Sequence, residues 1–188
     1  MEIKTIKPGI YQHYKVISKV SKLPIILYNV PGRTASNITA DTTLRLAKDF
    51  KNIIAVKEAS GSIEQMMHII NKRPKNFLVI SGDDNLTLPL IAAGGDGVIS
   101  VVANAFPKDF SDMVRAALED DMPKARKLHY KLMEITETLF ADGKPGGIKY
   151  ALSQIKICDT YLRLPLVEPN DNVKQKLKDF NTRQYFHK

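Results

Sequence analysis

Short apolar runs alternate with longer amphipathic stretches through the first half of the chain. Near-continuous apolar runs are typical of parallel strands covered on both faces, and the sequence predicts four of them: Leu23–Asn29, Asn52–Glu58, Phe77–Ser81 and Gly97–Val101. Helical patterns fill the intervals over Thr39–Phe50, Ser62–Asn71 and Asp84–Ala93. This order predicts an α/β fold built from consecutive βαβ units.

After about residue 107 the strand patterns stop, and the remaining apolar positions recur at helical spacing. Helices are predicted over Phe110–Leu118, Lys124–Leu139, Gly147–Gln154 and Asn172–Phe180. We therefore predict two parts, an α/β part over residues 1–120 and a helical region over residues 121–188.

The net charge of +8 comes mostly from the two ends of the chain. Residues 1–24 contribute +4 and residues 171–188 contribute +3, and both segments suit solvated helix faces better than a nucleic-acid surface. A single cysteine, Cys158, excludes an internal disulfide and favours a reducing, cytoplasmic location. No apolar run is long enough to cross a membrane. Neither nucleic acid nor membrane is therefore expected as a partner.

Lys57 is the sharpest chemical signal. Active sites of parallel α/β folds lie at the carboxyl ends of the strands, and Lys57 comes near the end of an apolar strand, on one predicted face with Ile53 and Ala55. Burial favours a neutral amine, which is the form that attacks a carbonyl. The alternative is that Lys57 forms an ion pair with Glu58 or another acid.

Tyr28 ends the preceding strand and can share a cavity with Lys57, since neighbouring strands lie about 4.8 Å apart. Its phenol suits a proton relay, although a tyrosine that fills the core is the simpler interpretation. Arg33 follows in a predicted turn, where its guanidinium could bind a carboxylate or remain solvated. The histidines lack metal-ligand spacing and no cofactor motif is present, so neither a metal nor a cofactor is expected.

Four segments, in order, resemble motifs of the 4-hydroxy-tetrahydrodipicolinate synthase family. Tyr28–Thr34 (YNVPGRT) resembles its YNVPxRT motif, and Val56–Gly61 (VKEASG) is similar to its Schiff-base motif. Ser81–Asp84 (SGDD) and Gly94–Val101 (GGDGVISV) are similar to two further motifs. The similarity extends from about Gly9 to about Phe180.

The resemblance implies a (β/α)8 barrel, of which this chain carries about the second half, strands 5–8, followed by a C-terminal helical region. It implies a lyase that condenses pyruvate with aspartate semialdehyde in lysine biosynthesis, without a cofactor and as a homo-oligomer. Lys57 would form the pyruvate imine and Tyr28 would relay protons. Arg33 would hold the semialdehyde carboxylate, and the backbones of Gly82 and Ile99 would line the pyruvate pocket.

Two other kinds of function remain open. N-acetylneuraminate lyase and the keto-deoxy sugar acid aldolases share the lysine and the tyrosine, but the sialic acid lyases lack an arginine like Arg33. A non-catalytic barrel fragment that only assembles is the alternative from another class, because four strands cannot close an eight-stranded barrel. We therefore expect an isolated monomer to be weak or inactive, and the chain to pair with a second copy or to aggregate.

Overall fold

The four predicted strands form one parallel sheet, in the order β1-β2-β3-β4. The structure is a computed structural model that describes residues 7–185, with side chains over residues 8–180. The strands are β1 (Ile25–Asn29), β2 (Ile53–Glu58), β3 (Leu78–Ser81) and β4 (Gly97–Val98). The prediction of an α/β fold with a parallel sheet is confirmed.

Five helices accompany the strands: α1 (Lys7–Val20), α2 (Pro31–Thr34), α3 (Ala40–Asp49), α4 (Ile63–Lys72) and α5 (Thr87–Ala92). Side-chain caps explain two of the starts, because the Thr39 hydroxyl accepts from the N–H of Thr42 and the Ser62 hydroxyl from that of Gln65. The predicted glycine stop of α5 is confirmed, since Gly94 has a φ of 96°.

The chain divides into two compact units, Met1–Ile99 and Ser100–Lys188. The first contains the whole sheet. The boundary near residue 120 separates the chain by type of secondary structure, whereas compactness divides it after Ile99. The two criteria therefore describe different divisions, and the predicted domain boundary stays a prediction.

One face of the sheet packs against helices. Leu27, Val56 and Val79 point to this face, and each is completely buried. Their core cluster includes side chains from α1, α3, α4 and α5: Tyr11, Leu44, Leu46, Met66, Ile69 and Leu90. Each aliphatic side chain buried in this way contributes about 1.5–3 kcal/mol, so this face holds the unit together.

The opposite face is only partly covered. Ile26, Tyr28 and Leu78 point to it and are 44%, 45% and 42% exposed. The sequence predicted cover on both faces, but within the described part of Met1–Ile99 the helices contribute to the core cluster on one face only. Lys57 lies on this second face, which we call the open face.

A register shift between β1 and β2 places Ile53 on a different face from the predicted one. Ile25 pairs with Ile53 but Ile26 pairs with Ala55, so Ile54 is skipped. The extra residue turns Ile53 away from Lys57 and into the core cluster. The prediction that Ile53 shares a face with Lys57 is therefore wrong, because alternation by two fails across a bulge.

An ion pair between Arg73 and Asp96 holds together the amino ends of β3 and β4. Asp96 accepts from the guanidinium of Arg73 and from the N–H of Val79, the latter at 2.7 Å. Arg73 also donates to the carbonyls of Phe77 and Gly94. These contacts fix the amino ends of β3 and β4 while their carboxyl ends remain free to carry a site.

The second unit is helical in its described part, with a 3-10 turn (Val102–Asn104) and the helices α6 (Pro107–Leu118), α7 (Met122–Phe140), α8 (Gly146–Gln154) and α9 (Asp171–Tyr185). The ring of Phe106 meets that of Phe180 edge to face, with centroids 5.5 Å apart. The strand predicted over Gly97–Val101 is shorter, since only Gly97–Val98 pairs with β3. No helix among the described residues has the length and apolarity needed to span a bilayer.

Candidate active site

Tyr28 and Lys57 meet at the carboxyl ends of β1 and β2. They are direct partners in the parallel ladder, and both side chains point to the open face. The Lys57 Nζ lies 4.2 Å from the centroid of the Tyr28 ring, a cation–π distance. The two residues predicted to carry the chemistry are thus brought together, with the amine over the ring.

Lys57 does not form the ion pair that the sequence left open with Glu58. Glu58 follows Lys57 in the strand and therefore points to the opposite face, where it is completely buried. Its carboxylate accepts from Asn29, Ser60 and Gln65 instead. Tyr28, at 45% exposure, is not a core-filling side chain either.

Gly82 packs directly against the Lys57 side chain. A Cβ added to Gly82 would lie 3.1 Å from Cγ and 3.2 Å from Cε of Lys57, and 2.8 Å from Cβ of Ala59. The absence of a side chain at this position therefore leaves the space that the lysine occupies. The Gly82 N–H donates to the carbonyl of Glu58, so it is already used within the fold.

Ile99 lies one residue after β4 and is 44% exposed. Its N–H donates to the carbonyl of Ser81 at 3.0 Å. The N–H groups of both Gly82 and Ile99 are therefore engaged within the protein. If these residues line a substrate pocket, as the resemblance implied, they do so with their carbonyls or their backbone surface.

Arg33 lies in α2, a single helical turn where the sequence predicted a turn. Pro31 fits the start of this turn, because a proline there removes an N–H that has no helical partner. The Arg33 side chain is exposed, and no hydrogen bond or ion pair joins it to another side chain in the described part of the chain. Arg33 is thus close to Tyr28 in sequence and remains available to an incoming anion.

Tyr28 also lines a cavity of about 360 Å³ beside α1. Ile10, His13 and Tyr14 of α1 form one wall, and residues after β1, including Thr34, contribute to the cavity. Burial raises the pKa of Tyr14, so its phenol is neutral at pH 7. Residues that carry hydroxyls and one histidine therefore line this cavity beside the site.

The sequence did not identify the polar residues behind the site. Asn29 and Glu58 are each completely buried, and Gln65 reaches Glu58 from α4. The sequence does indicate two of these residues, because Asn29 and Glu58 each follow a predicted site residue and must therefore point to the covered face. Among the described residues, no three or more His, Cys, Asp or Glu side chains lie together as metal ligands.

Comparisons with known proteins agree with the motifs. The model of the dihydrodipicolinate synthetase family matches residues 3–184. The 4-hydroxy-tetrahydrodipicolinate synthase of Phocaeicola vulgatus is 54% identical over 175 residues, which are 93% of this chain and 59% of that protein. The chain thus spans about three fifths of the length of this relative.

Solved structures give the same result. The crystal structure of dihydrodipicolinate synthase from Aquifex aeolicus matches with a TM-score of 0.93 and 37% identity, over 97% of this chain and 62% of that one. The chloride-inhibited dihydrodipicolinate synthase from Acinetobacter baumannii, complexed with pyruvate, matches with a TM-score of 0.91 and 36% identity, over 96% and 62% of the two chains.

We expect Gly82→Ala to displace the Lys57 side chain from the Tyr28 ring, because the new methyl would overlap Ala59 and press on the lysine. Overpacking of this kind costs about 1–3 kcal/mol. The rate of reductive methylation of Lys57 by formaldehyde and cyanoborohydride, relative to that of exposed Lys48 in the same digest, should change by about threefold or more. Gly32→Ala is the control, since nothing lies within 4 Å of its added Cβ. An unchanged Lys57 rate in Gly82→Ala would contradict this packing.

Proposed function

Because the chain belongs to the dihydrodipicolinate synthetase family, we propose that it acts as a Schiff-base lyase that condenses pyruvate with aspartate semialdehyde. The observation that carries the proposal is the placement of the Lys57 amine over the Tyr28 ring at the strand ends, within the two matched motifs. The product is 4-hydroxy-tetrahydrodipicolinate, an intermediate of lysine biosynthesis. The single cysteine supports a cytoplasmic location.

The lysine performs the covalent chemistry. The neutral Lys57 amine adds to C2 of pyruvate, and loss of water leaves the imine. Removal of a proton from the pyruvate methyl gives an enamine, whose carbon bonds to the aldehyde carbon of the semialdehyde. The amine of the semialdehyde then displaces Lys57 from the imine carbon, which closes the ring and frees the enzyme. No cofactor is needed, since the protonated imine itself accepts the electron pair.

Tyr28 is proposed as the group that moves these protons. Its ring lies against the amine and belongs to the direct ladder partner of Lys57, so its hydroxyl is on the side chain next to the reacting nitrogen. Gly82 packs on the lysine stem, and Ile99 follows β4, the strand next to β3, so the backbones of Gly82 and Ile99 are proposed to line the pyruvate pocket. A dihydrodipicolinate synthase of similar fold has been solved with pyruvate bound, which supports pyruvate as the first substrate.

Arg33 is proposed to bind the carboxylate of the semialdehyde. Its exposed guanidinium presents a planar fork that fits a carboxylate in a bidentate manner. This feature also favours the synthase over the sialic acid lyases, which share the lysine and the tyrosine. A non-catalytic assembly remains the contrasting hypothesis, and the trapping of an imine separates the two.

The imine assignment predicts that pyruvate and borohydride add one reduced adduct to the chain, in the peptide that contains Lys57. Lys57→Gln should abolish the adduct, because an amide cannot form an imine. Lys48→Gln, at an exposed position on α3, should retain it. Peptide mapping by mass spectrometry is the measurement. An adduct on another lysine, with Lys57 unmodified, would overturn the assignment.

Arg33→Ala should spare pyruvate imine formation and damage condensation. A charge-assisted contact is worth roughly 1.5–3 kcal/mol, so kcat/KM for the semialdehyde should fall about ten- to a hundredfold or more. Arg126→Ala is a matched control on the exposed surface of α7. Steady-state kinetics and imine trapping are compared for each variant. A loss of imine with condensation intact would refute the carboxylate role.

We further propose that the active form is a homo-oligomer in which another copy covers the open face. The face exposes Ile26 and Leu78 beside the site, and β1 and β4 are the edges of the sheet. Apolar side chains and unpaired strand edges both favour association with another chain. Cover would also remove water from Lys57, which strengthens the electrostatic interactions inside the site.

This assembly predicts that imine formation rises with protein concentration in parallel with the oligomer fraction. Ile26→Asp should reduce both, because it places a charge on the open face. Val20→Asp, on the exposed end of α1, should change neither. Light scattering after size-exclusion chromatography gives the oligomer fraction. A monomer that forms the imine at a concentration-independent rate would contradict the proposal.

A further inference from the structure

A buried carboxylate lies directly behind the site and has no part in the chemistry described above. Glu58 is completely buried, and its two oxygens accept four contacts, all from neutral donors. Oε1 accepts from the N–H of Ser60 at 2.7 Å and from Nδ2 of Asn29 at 3.1 Å. Oε2 accepts from Nδ2 of Asn29 at 3.0 Å and from Nε2 of Gln65 at 3.0 Å.

Burial of a charge without a partner of opposite sign is costly unless hydrogen bonds satisfy it. No ion pair to Glu58 is present in the described part of the chain. Its charge is therefore stabilised only while these donors keep their geometry. A group of this kind restricts the conformations of the elements that carry its donors.

Asn29 and Glu58 lie behind Tyr28 and Lys57, on the other face of the sheet. Asn29 and Glu58 are direct partners in the parallel ladder, one residue beyond the pair Tyr28 and Lys57. Because side chains alternate, one pair points to the open face and the other to the covered face. A hydrogen bond between Asn29 and Glu58 thus fixes the register that brings Lys57 onto the Tyr28 ring.

The same network reaches the segment that carries Arg33. The Asn29 Oδ1 accepts from the N–H of Ile38 at 2.9 Å, and its Nδ2 donates to Oδ1 of Asn37 at 2.8 Å. Gln65 also contacts Asn37, donating from Nε2 and accepting from its Nδ2. The chain between β1 and α3 is therefore held at its far end by the group that holds β1 to β2.

We propose that Asn29, Glu58, Gln65 and Asn37 form a positioning clamp that places Lys57, Tyr28 and the Arg33 segment for imine formation and substrate capture. This role rests on the function proposed above and adds to it residues that do not touch substrate. The donors and acceptors of the clamp have fixed directions. Because the Asn29 Oδ1 accepts from the Ile38 N–H, the Asn29 NH2 must face Glu58. Only a group that accepts hydrogen bonds on both oxygens suits position 58.

Glu58→Gln tests this directionality with almost no change in volume. One of its two terminal atoms becomes an NH2 that faces the NH2 of Asn29. Asn29 cannot reverse its amide without losing the hydrogen bond from the Ile38 N–H. Release of the strand ends should raise reductive methylation of Lys57, relative to Lys48, by about threefold or more. It should lower the rate of pyruvate imine trapping by about tenfold or more, since small misplacements of a reacting group have large effects on rate.

The exchanged pair Asn29→Asp with Glu58→Gln is the matched rescue. The carboxylate placed at position 29 would accept from the Ile38 N–H and from the amide placed at position 58. The amides of Asn37 and Gln65 would reverse to follow, and this reversal gives up only the long 3.4 Å hydrogen bond from Gln65 Nε2 to the Ile38 carbonyl. A carboxylate stays in the network, so this variant separates loss of hydrogen bonds from loss of charge. Recovery of both Lys57 rates toward wild type is the expected result. Unfolding in urea is followed in parallel, because a residue that acts only on stability would leave both rates of the folded protein unchanged.

Gln65→Met is a milder variant if Glu58→Gln does not fold, since it keeps the carboxylate and removes only the hydrogen bonds of Gln65 to Glu58 and Asn37, at a half-buried position on α4. It should shift both rates in the same directions, by about twofold. Wild-type rates in the folded variants, or an exchanged pair that fails to recover either rate, would overturn the clamp. Absence of the pyruvate adduct even in the wild-type chain, with the methylation rates changing as expected, would overturn the proposed function and leave the clamp standing as the device that holds Lys57.

Discussion

The pairing of residues 26–29 of β1 with residues 55–58 of β2 is the constraint on which the site depends. It sets Tyr28 opposite Lys57 and Asn29 opposite Glu58. A slip of β2 by one residue would turn its side chains to the opposite faces, with the Glu58 carboxylate on the open face and Lys57 among the buried helices. The free-energy cost of exposing apolar side chains in a slip is spread along the strands. The cost of losing the hydrogen bonds between Asn29 and Glu58 falls at the strand ends. The site is therefore most tightly specified where the chemistry requires it.

The pairing is fixed at the site by a buried carboxylate, that of Glu58. A carboxylate in a low-dielectric interior is stabilised by neutral donors only when several converge on it, and here they come from β1, α4 and the turn after β2. A core of the same volume made of aliphatic side chains would hold the strands together without choosing a register so sharply. The polar network thus contributes order at the site more than it contributes stability.

The sequence was sufficient for the order of the four strands and for the central pair. Strand ends converge in a parallel sheet, so Lys57 and Tyr28 could be placed together from the pattern alone. It was insufficient at Ile53, because a bulge interrupts the period of two without changing the apolar character of the strand. It missed the network around Glu58, because Asn37 and Gln65 lie 28 residues apart and their convergence is set by how α3 and α4 pack. Polar residues at strand ends also resemble solvated turns when partners are unknown.

Positioning and desolvation are separate requirements for an imine-forming lysine, and the first unit meets them unequally. Its helix-covered face is closed, and the contacts there fix where the Lys57 side chain begins and in which direction it points. Its open face leaves the lysine half-buried beside exposed apolar side chains. Exclusion of water strengthens every electrostatic interaction at the reacting nitrogen, but it cannot correct a misplaced strand. The placement of the lysine is thus a property of this unit, and its environment is set by whatever lies over the open face.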